Sequence, residues 1–386
     1  MTQLNRILIV GGGIGGLSAA AALQRSGFHV DLFEQAPELR EAGAGVGLWP
    51  NALHSLDQLG AGDAIRNTSF PIHILGGANP SGKTLTRVDL STLGPEFQSA
   101  ACYVALRPVL LAALAKCVAP TSIHTNARAT KIERLPDRIR LYLASGKTED
   151  ADLLIAADGL YSVVRPLVVG PDDIRYSGQT CFRGIAHFSP PEPNVLCEIQ
   201  GAGFRGAVCP INANTVYWFT AFNSPPGKMI PIDQRHQFLR EHFHDWPFGL
   251  GQAIAATPAA AMIQNDLLDR APTHRYIDDR LALIGDAAHP TTPNLGQGAN
   301  MAIDDAIVLA RSLRTHSTLS AALQQYQNER LARTRLIVKR SWNFGRACLW
   351  TSPLAITLRE SAVRFTPISI LKKMLRWQIL QTVGPL

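Results

Sequence analysis

The stretch NRILIVGGGIGGLSAAAALQRSGFHVDLFEQ, near the start of the 386-residue chain, constrains the fold more than any other. Ile7-Leu8-Ile9-Val10 is an unbroken apolar run, the pattern of a parallel strand buried on both faces. Gly11, Gly13 and Gly16 follow in GxGxxG spacing, and an Ala/Leu-rich helix is expected from Ile14 to near Gly27. FHVDLFE then supplies a second strand whose last residue is Glu34. In such a βαβ unit the glycines permit a tight turn, close backbone approach to a pyrophosphate, and contact between helix and strand. The helix start at Gly13, Ile14, Gly15 and Gly16 offers unpaired N–H groups and a positive dipole end to phosphate. Glu34, 18 residues after Gly16, can accept both hydroxyls of an adenosine ribose and would repel a 2′-phosphate. The unit therefore indicates a dinucleotide; alone it does not separate NAD from FAD.

Two later segments do. DADLLIAADGLYSVVR carries an apolar strand ending at Asp158-Gly159, followed by Ser162 and Arg165 at helical spacing. LALIGDAAHPTTPNLGQGANMAIDDAIVLA carries a second such strand ending at Gly285-Asp286, a loop with Pro290 and Pro293, and a bare Gly296-Gln297-Gly298 helix start. With these three elements the chain resembles the flavoprotein aromatic hydroxylases, single-component FAD-dependent monooxygenases similar to salicylate, hydroxynicotinate and urate hydroxylases and to zeaxanthin epoxidase. The motifs fall in that family's order and approximate spacing, and the resemblance runs over essentially the whole chain.

The resemblance implies an α/β fold: an FAD-binding, Rossmann-like lobe of the glutathione-reductase type, an inserted β-sheet substrate lobe, and C-terminal helices. It implies FAD as cofactor, NADH or NADPH as a transient co-substrate, and O2 as oxidant. Oxygen transfer to an aromatic or other electron-rich small molecule would run through a flavin C4a-hydroperoxide. Asp286 would bind a ribityl hydroxyl, and the helix start at Gly298, Ala299 and Asn300 would face the pyrimidine side of the flavin, where negative charge appears on reduction. Arg107 is similar to an Arg that reaches the ribityl–pyrophosphate region; the other reading is a surface Arg opening a helix. Arg40 is similar to an Arg near the adenosine ribose, and Gly45-Val46-Gly47 would let backbone pass close to flavin. Asp158 is expected to organise the pyrophosphate loops, and backbone near Pro293 to border the oxygenation site. His289 reads as structural, and Asp304 and Asp305 as carboxylates favoured by the helix dipole.

Between Tyr176 and about Asn223 the pattern turns to strands, with a hairpin at Ile211-Asn212-Ala213-Asn214. Alternation puts Tyr217, Phe219 and Ala221 on one face and Val216, Trp218 and Thr220 on the other. Arg183, Arg205 and Tyr217 are the polar candidates for substrate contact, Arg205 and Tyr217 by likeness in spacing to the substrate-orienting pair of urate hydroxylases. Asn294 stands where those enzymes carry an acid, which argues against urate itself. Phe182, Phe204, Trp218, Phe219 and Phe222 suit a planar substrate and equally suit sheet packing.

The expected lobes are 1–70, 100–173 and 270–330 for FAD, 71–99 with 174–269 for substrate, and 331–386 as a helical tail. Net charge is +7, yet after Leu331 ten Lys/Arg face Glu360 alone, so the tail carries +9 and the remainder −2. No nucleic-acid module accompanies that charge, and nucleic acid is not an expected partner. Packing of the tail on the FAD lobe, a dimer contact and a membrane-surface anchor for a lipophilic substrate all fit SILKKMLRWQIL; packing is the expected one, with the protein a monomer or homodimer. Six scattered cysteines without CxxC suit reduced thiols in a cytoplasmic protein, and no metal-ligand spacing occurs. A flavin reductase acting on a lipophilic double bond and a flavin-binding redox sensor are the other function classes that share such a fold.

Overall fold

The computed structural model describes residues 4–39, 45–93 and 101–386. The first strand, Ile7–Val10, lies between Val30–Phe33 and Leu153–Ala156, parallel to both. Leu281–Leu283 and Ile123–His124 extend this sheet in parallel, and the short Ile277–Asp278 closes one edge antiparallel. All four residues of the first strand are buried, because helices cover both faces. Each such side chain contributes about 1.5–3 kcal/mol of transfer free energy. Helix Ile14–Arg25 presents Ala19, Ala20, Ala21 and Ala22, all fully buried. These small side chains allow close approach of helix Gly298–Thr315, where a Cβ on Gly15 would lie 3.5 Å from Ala302.

The second body is a seven-stranded sheet. Its order is Ile263–Arg270, Ile174–Ala186, Thr215–Asn223, Phe204–Asn212, Val195–Gln200, Ile74–Ala78 and Thr84–Asp89. The expected hairpin joins Phe204–Asn212 to Thr215–Asn223. One face is sealed by helices Arg235–Phe243 and Leu250–Ala256, which bury Phe182, Trp218 and Phe222 against Leu239, Phe243 and Leu250. Phe204 packs there as well. Four of the five aromatics considered as substrate walls therefore face away from the site, as the two-residue period requires. Phe219 alone shares the other face with Tyr217.

That other face looks toward a small antiparallel sheet of Gly45–Leu48, Cys102–Leu106 and Pro71–Ile72. The tail completes the enclosure: a 30-residue helix, Leu319–Cys348, packs on Gly298–Thr315, and helices Pro353–Phe365 and Ile368–Ile379 follow. Two of the tail's cations are buried and structural. Arg359 donates to the Ala347 and Cys348 carbonyls at the C-terminus of the long helix, 3.2 and 2.6 Å, where the dipole favours positive charge. Arg333 donates to the carbonyls of Trp377 and Gln378, both at 3.0 Å. All six cysteines are free. Among the described residues no helix is long and apolar enough to cross a membrane, and no group of His, Cys, Asp and Glu is placed to hold a metal.

Candidate active site

The glycines of the first turn are dictated by backbone contacts. Gly11 has φ +103°, and a Cβ there would sit 2.4 Å from the Ala157 carbonyl oxygen. A Cβ on Gly16 would lie 1.8 Å from the Gly11 carbonyl oxygen. Gly13 caps the helix without any side-chain partner, so the first N–H groups, at Ile14, Gly15 and Gly16, are left for an anion. Glu34, at the end of the second strand, accepts from the Gly12 and Ala36 N–H groups at 2.6 and 2.8 Å. Its carboxylate is thereby fixed at the mouth of the turn with lone pairs to spare. Arg40 lies outside the described residues.

The second and third elements are physically joined. Asp158 accepts from the Val163 N–H at 2.8 Å, while its other oxygen is buried without a partner. Burial raises its pKa against the hydrogen bonds from Ser162 and the Val163 N–H. The Ser162 hydroxyl caps the short helix Arg165–Val169 by accepting from the Arg165 N–H at 2.9 Å. Arg165, 1% exposed, then reaches across to the Ala287 and Ala288 carbonyls, both 2.7 Å, and pairs with Asp172. It holds the loop after Gly285-Asp286 at a fixed distance from Asp158. Asp286 is the one exposed residue between Leu281 and Pro290, placed at the helix start with its Oδ1 4.0 Å from the position of a Cβ on Gly298.

Around that helix start the polar groups are mostly committed to structure. Asn300 spends its side chain on protein: it accepts from the Trp49 N–H at 2.8 Å and donates to the Gly47 and Gly296 carbonyls at 2.9 and 2.7 Å. Only its backbone N–H remains for a ligand, with those of Gly298 and Ala299. Asp304 and Asp305 lie beyond the first helical turn and are fully buried, so the dipole does not account for them. Asp304 accepts from Asn51 and Ser55 at 2.9 and 2.8 Å. Asp305 accepts from the Gly285 N–H, His289 and Arg330 at 2.9, 2.6 and 2.7 Å. His289 is thus a structural partner, as its lone position in the loop suggested. Gln297 is 1% exposed, yet neither end of its amide has a partner within the protein. A desolvated amide of that kind calls for a ligand group.

Three observations fit a long flavin dinucleotide: the backbone-only phosphate turn, the orphaned Asp158 oxygen and Gln297 amide, and open space at two glycines. A Cβ on Gly47 or on Gly159 would meet nothing within 4 Å. Gly45, on the same side of its strand as Gly47, touches the Tyr217 ring, a Cβ there falling 2.5 Å from it. The open strip at Gly47 therefore lies between the helix start and the substrate sheet, with Val46 turned into the core.

Register places all three polar candidates on that face of the sheet: Arg183 opposite Phe219, Arg205 opposite Ala221, and Ile185 and Cys209 flanking Tyr217. Their surroundings differ. Arg205 is 1% exposed, hydrogen-bonds Asn294 and pairs with Glu198 at 3.3 Å, while Asn294 donates to Thr292 and to the Ser341 carbonyl at 2.9 Å each. It ties the proline loop and long helix to the sheet. Arg183 has no carboxylate within ion-pair distance among the described residues and lies close enough to Tyr217 to act on it electrostatically, as does Arg107. Burial drives the Tyr217 hydroxyl well above its ordinary pKa, so it stays a hydrogen-bond donor at neutral pH. Arg107 opens helix Arg107–Ala115, where the dipole opposes a cation, a placement that packing alone does not favour. Pro293 is exposed and begins the turn Pro293–Leu295. Around these groups Ile185, Leu196, Phe219, Leu75, Leu371 and Leu375 form a partly buried apolar lining. A separate cleft of about 810 Å³ between helix Pro50–Leu59 and the end of the last helix contains none of the candidate residues.

Residues 5–341 match the family described as FAD binding domain, and the chain belongs to that family of flavin-dependent aromatic monooxygenases. It is 36% identical to an aurachin C monooxygenase/isomerase of Stigmatella aurantiaca, over 93% of each chain. It is 32% identical, over 94% of each, to a 2-heptyl-3-hydroxy-4(1H)-quinolone synthase of Pseudomonas aeruginosa. The structure of Klebsiella pneumoniae HpxO complexed with FAD and uric acid superposes with a TM-score of 0.90 at 28% identity, covering 97% of this chain and 96% of that one. The protein is an FAD-dependent monooxygenase that takes electrons from NAD(P)H, as the motif order implied.

Proposed function

We propose that the substrate is a planar hydroxylated nitrogen heteroaromatic of the quinolone type that carries an apolar tail. The observation that supports this most is the pairing of Arg183, without a carboxylate partner, with a protonated Tyr217 inside an otherwise apolar lining. The kinship with a 2-heptyl-3-hydroxy-4(1H)-quinolone synthase points the same way. Urate fits less well, since Asn294 is spent on Arg205 and the lining offers few groups for so polar a ring.

FAD, when bound, accepts hydride from NAD(P)H and activates O2, one atom of which enters the product. The chain's part is binding, orientation and exclusion of water. The turn Gly11–Gly16 and Glu34 would hold the ADP half, with Asp158, Arg107 and Asp286 along the middle and the N–H groups of Gly298, Ala299 and Asn300 at the far ring. The Arg183 guanidinium would hold the substrate's acidic oxygen and favour its ionised form, which raises electron density in the ring to be attacked. The Tyr217 hydroxyl would donate to the same oxygen. Arg205 would act on substrate only through the loop it anchors, so it is a positioning residue.

Replacing Arg183 by Gln removes a charge-assisted hydrogen bond, so KM should rise about 10- to 100-fold with FAD content unchanged. Tail length supplies the direct test of substrate class. In a series of 2-alkyl-4-hydroxyquinolines assayed for stimulated NAD(P)H oxidation and product mass, each added CH2 should lower KM about fourfold until the lining is filled. Indifference to tail length, or a preference for urate, would overturn the substrate reading and leave the enzyme class standing.

A further inference from the structure

The C-terminal helices have two unlike faces. Inward, Leu371, Leu375 and Ile379 join the apolar lining beside Tyr217 and Phe219, and Gln378 donates to the Leu295 carbonyl of the proline loop at 3.2 Å. Outward, the same segment leaves large apolar side chains in water: Leu354 is 71% exposed, Leu358 61%, Phe365 74% and Met374 57%. Nine of the fourteen exposed large hydrophobics among the described residues fall between Leu336 and Met374, so the exposed apolar surface is concentrated on the C-terminal helices. Leu354, Leu358 and Phe365 recur at helical spacing along one side of Pro353–Phe365, which the packing of that helix does not use. Arg346, Arg364 and Lys373 stand exposed in the same stretch, whose one acid, Glu360, is half-buried.

We propose that this patch docks the protein on an anionic lipid bilayer, with the helices lying in the headgroup plane. Apolar residues that reach the acyl boundary, ringed by Lys and Arg, have the composition of an interfacial helix, and an anionic surface supplies the complementary charge. A second copy of the chain is the poorer occupant, because a two-fold contact would set Arg364 and Lys373 against the same cations. Docked this way, helix Ile368–Ile379 would separate the substrate chamber from the membrane by its own thickness. A tailed substrate dissolved in the bilayer would then meet the enzyme where it is concentrated; that consequence, unlike the docking itself, rests on the substrate class proposed above.

Flotation of the FAD-loaded full-length protein with phosphatidylglycerol/phosphatidylcholine vesicles tests the docking without any substrate. Binding to these vesicles, much weaker binding to phosphatidylcholine alone, and a loss of about tenfold or more in a Leu358→Glu/Phe365→Glu variant are expected. The variant should keep its FAD and its turnover of a short-tailed soluble substrate, since neither side chain touches the site. Equal flotation with and without vesicles, binding unaffected by the variant, or a wild-type dimer in sedimentation velocity that the variant abolishes would each overturn the proposal, the last assigning the patch to a second copy. Failure of the tail-length series with vesicle binding intact would sink the substrate reading alone.

Discussion

Asp305→Asn is expected to lower the unfolding free energy by about 3–5 kcal/mol, because it leaves the buried Arg330 guanidinium without its counter-charge. Arg330 and Asp305 are essentially inaccessible to solvent, and their 2.7 Å contact is shared with His289 and the Gly285 N–H. Burial alone would raise the Asp305 pKa; the charges of His289 and Arg330, with the hydrogen bonds, overcome it and hold the carboxyl down to about 2. A depressed acid contributes stability that is complete above its unfolded value and is lost as pH falls toward the folded one. The wild-type protein should therefore shed this contribution between about pH 4 and pH 2, and the variant should show no such loss there. Asp304→Asn is the contrast. Burial raises that carboxyl, so its ionised form is a cost, and asparagine keeps an acceptor for Asn51 or Ser55. Its effect should stay under about 1 kcal/mol. Urea unfolding followed by tryptophan fluorescence across this pH range measures both.

Gly16→Ala should abolish flavin retention. The new Cβ would lie 1.8 Å from the Gly11 carbonyl oxygen, a backbone atom that cannot step aside without opening the turn that presents the phosphate-binding N–H groups. A loss of a few kcal/mol of binding corresponds to about a hundredfold or more in Kd, and the purified variant should be colourless. Gly47→Ala separates fold from site. Gly47 has no atom within 4 Å of the added methyl and needs no positive φ. Its FAD-free form should unfold like the wild type, while its flavin affinity falls because the methyl enters the strip reserved for the ring. A fall in FAD-free stability as large as that of Gly16→Ala would show the strip to be ordinary packing space.

Both variants touch features that the sequence disclosed to different degrees. The βαβ unit was legible because its glycines are forced by local sterics and its strands by continuous burial, each visible within a dozen residues. The two strand ends at Asp158 and Asp286 were legible for the same reason, and alternation alone placed Tyr217 and Phe219 on one face and Trp218 on the other. What was hidden depends on contacts across the chain. Arg165 clamping the Ala287 and Ala288 carbonyls and Arg330 meeting Asp305 join segments that no periodicity links. Arg330 left one trace: with Tyr326, Thr334 and Ile337 it lies on the buried stripe of its helix, where an arginine has no place unless it is paired. The bracing role of the Asn300 side chain was also hidden, because Trp49 and Gly47 come to it from 251 and 253 residues away in the chain. The different surroundings of Arg183 and Arg205 were likewise invisible, since Glu198 and Asn294 come to Arg205 from other segments of the chain.

Incubation of the FAD-loaded protein with NAD(P)H, isotopically labelled O2 and a panel of hydroxylated heteroaromatics, with the product mass measured, tests the whole account most directly. The expected result is substrate-stimulated NAD(P)H oxidation with a single labelled oxygen atom in the product. NAD(P)H oxidation that no member of the panel accelerates, with all the label recovered as hydrogen peroxide, would contradict it.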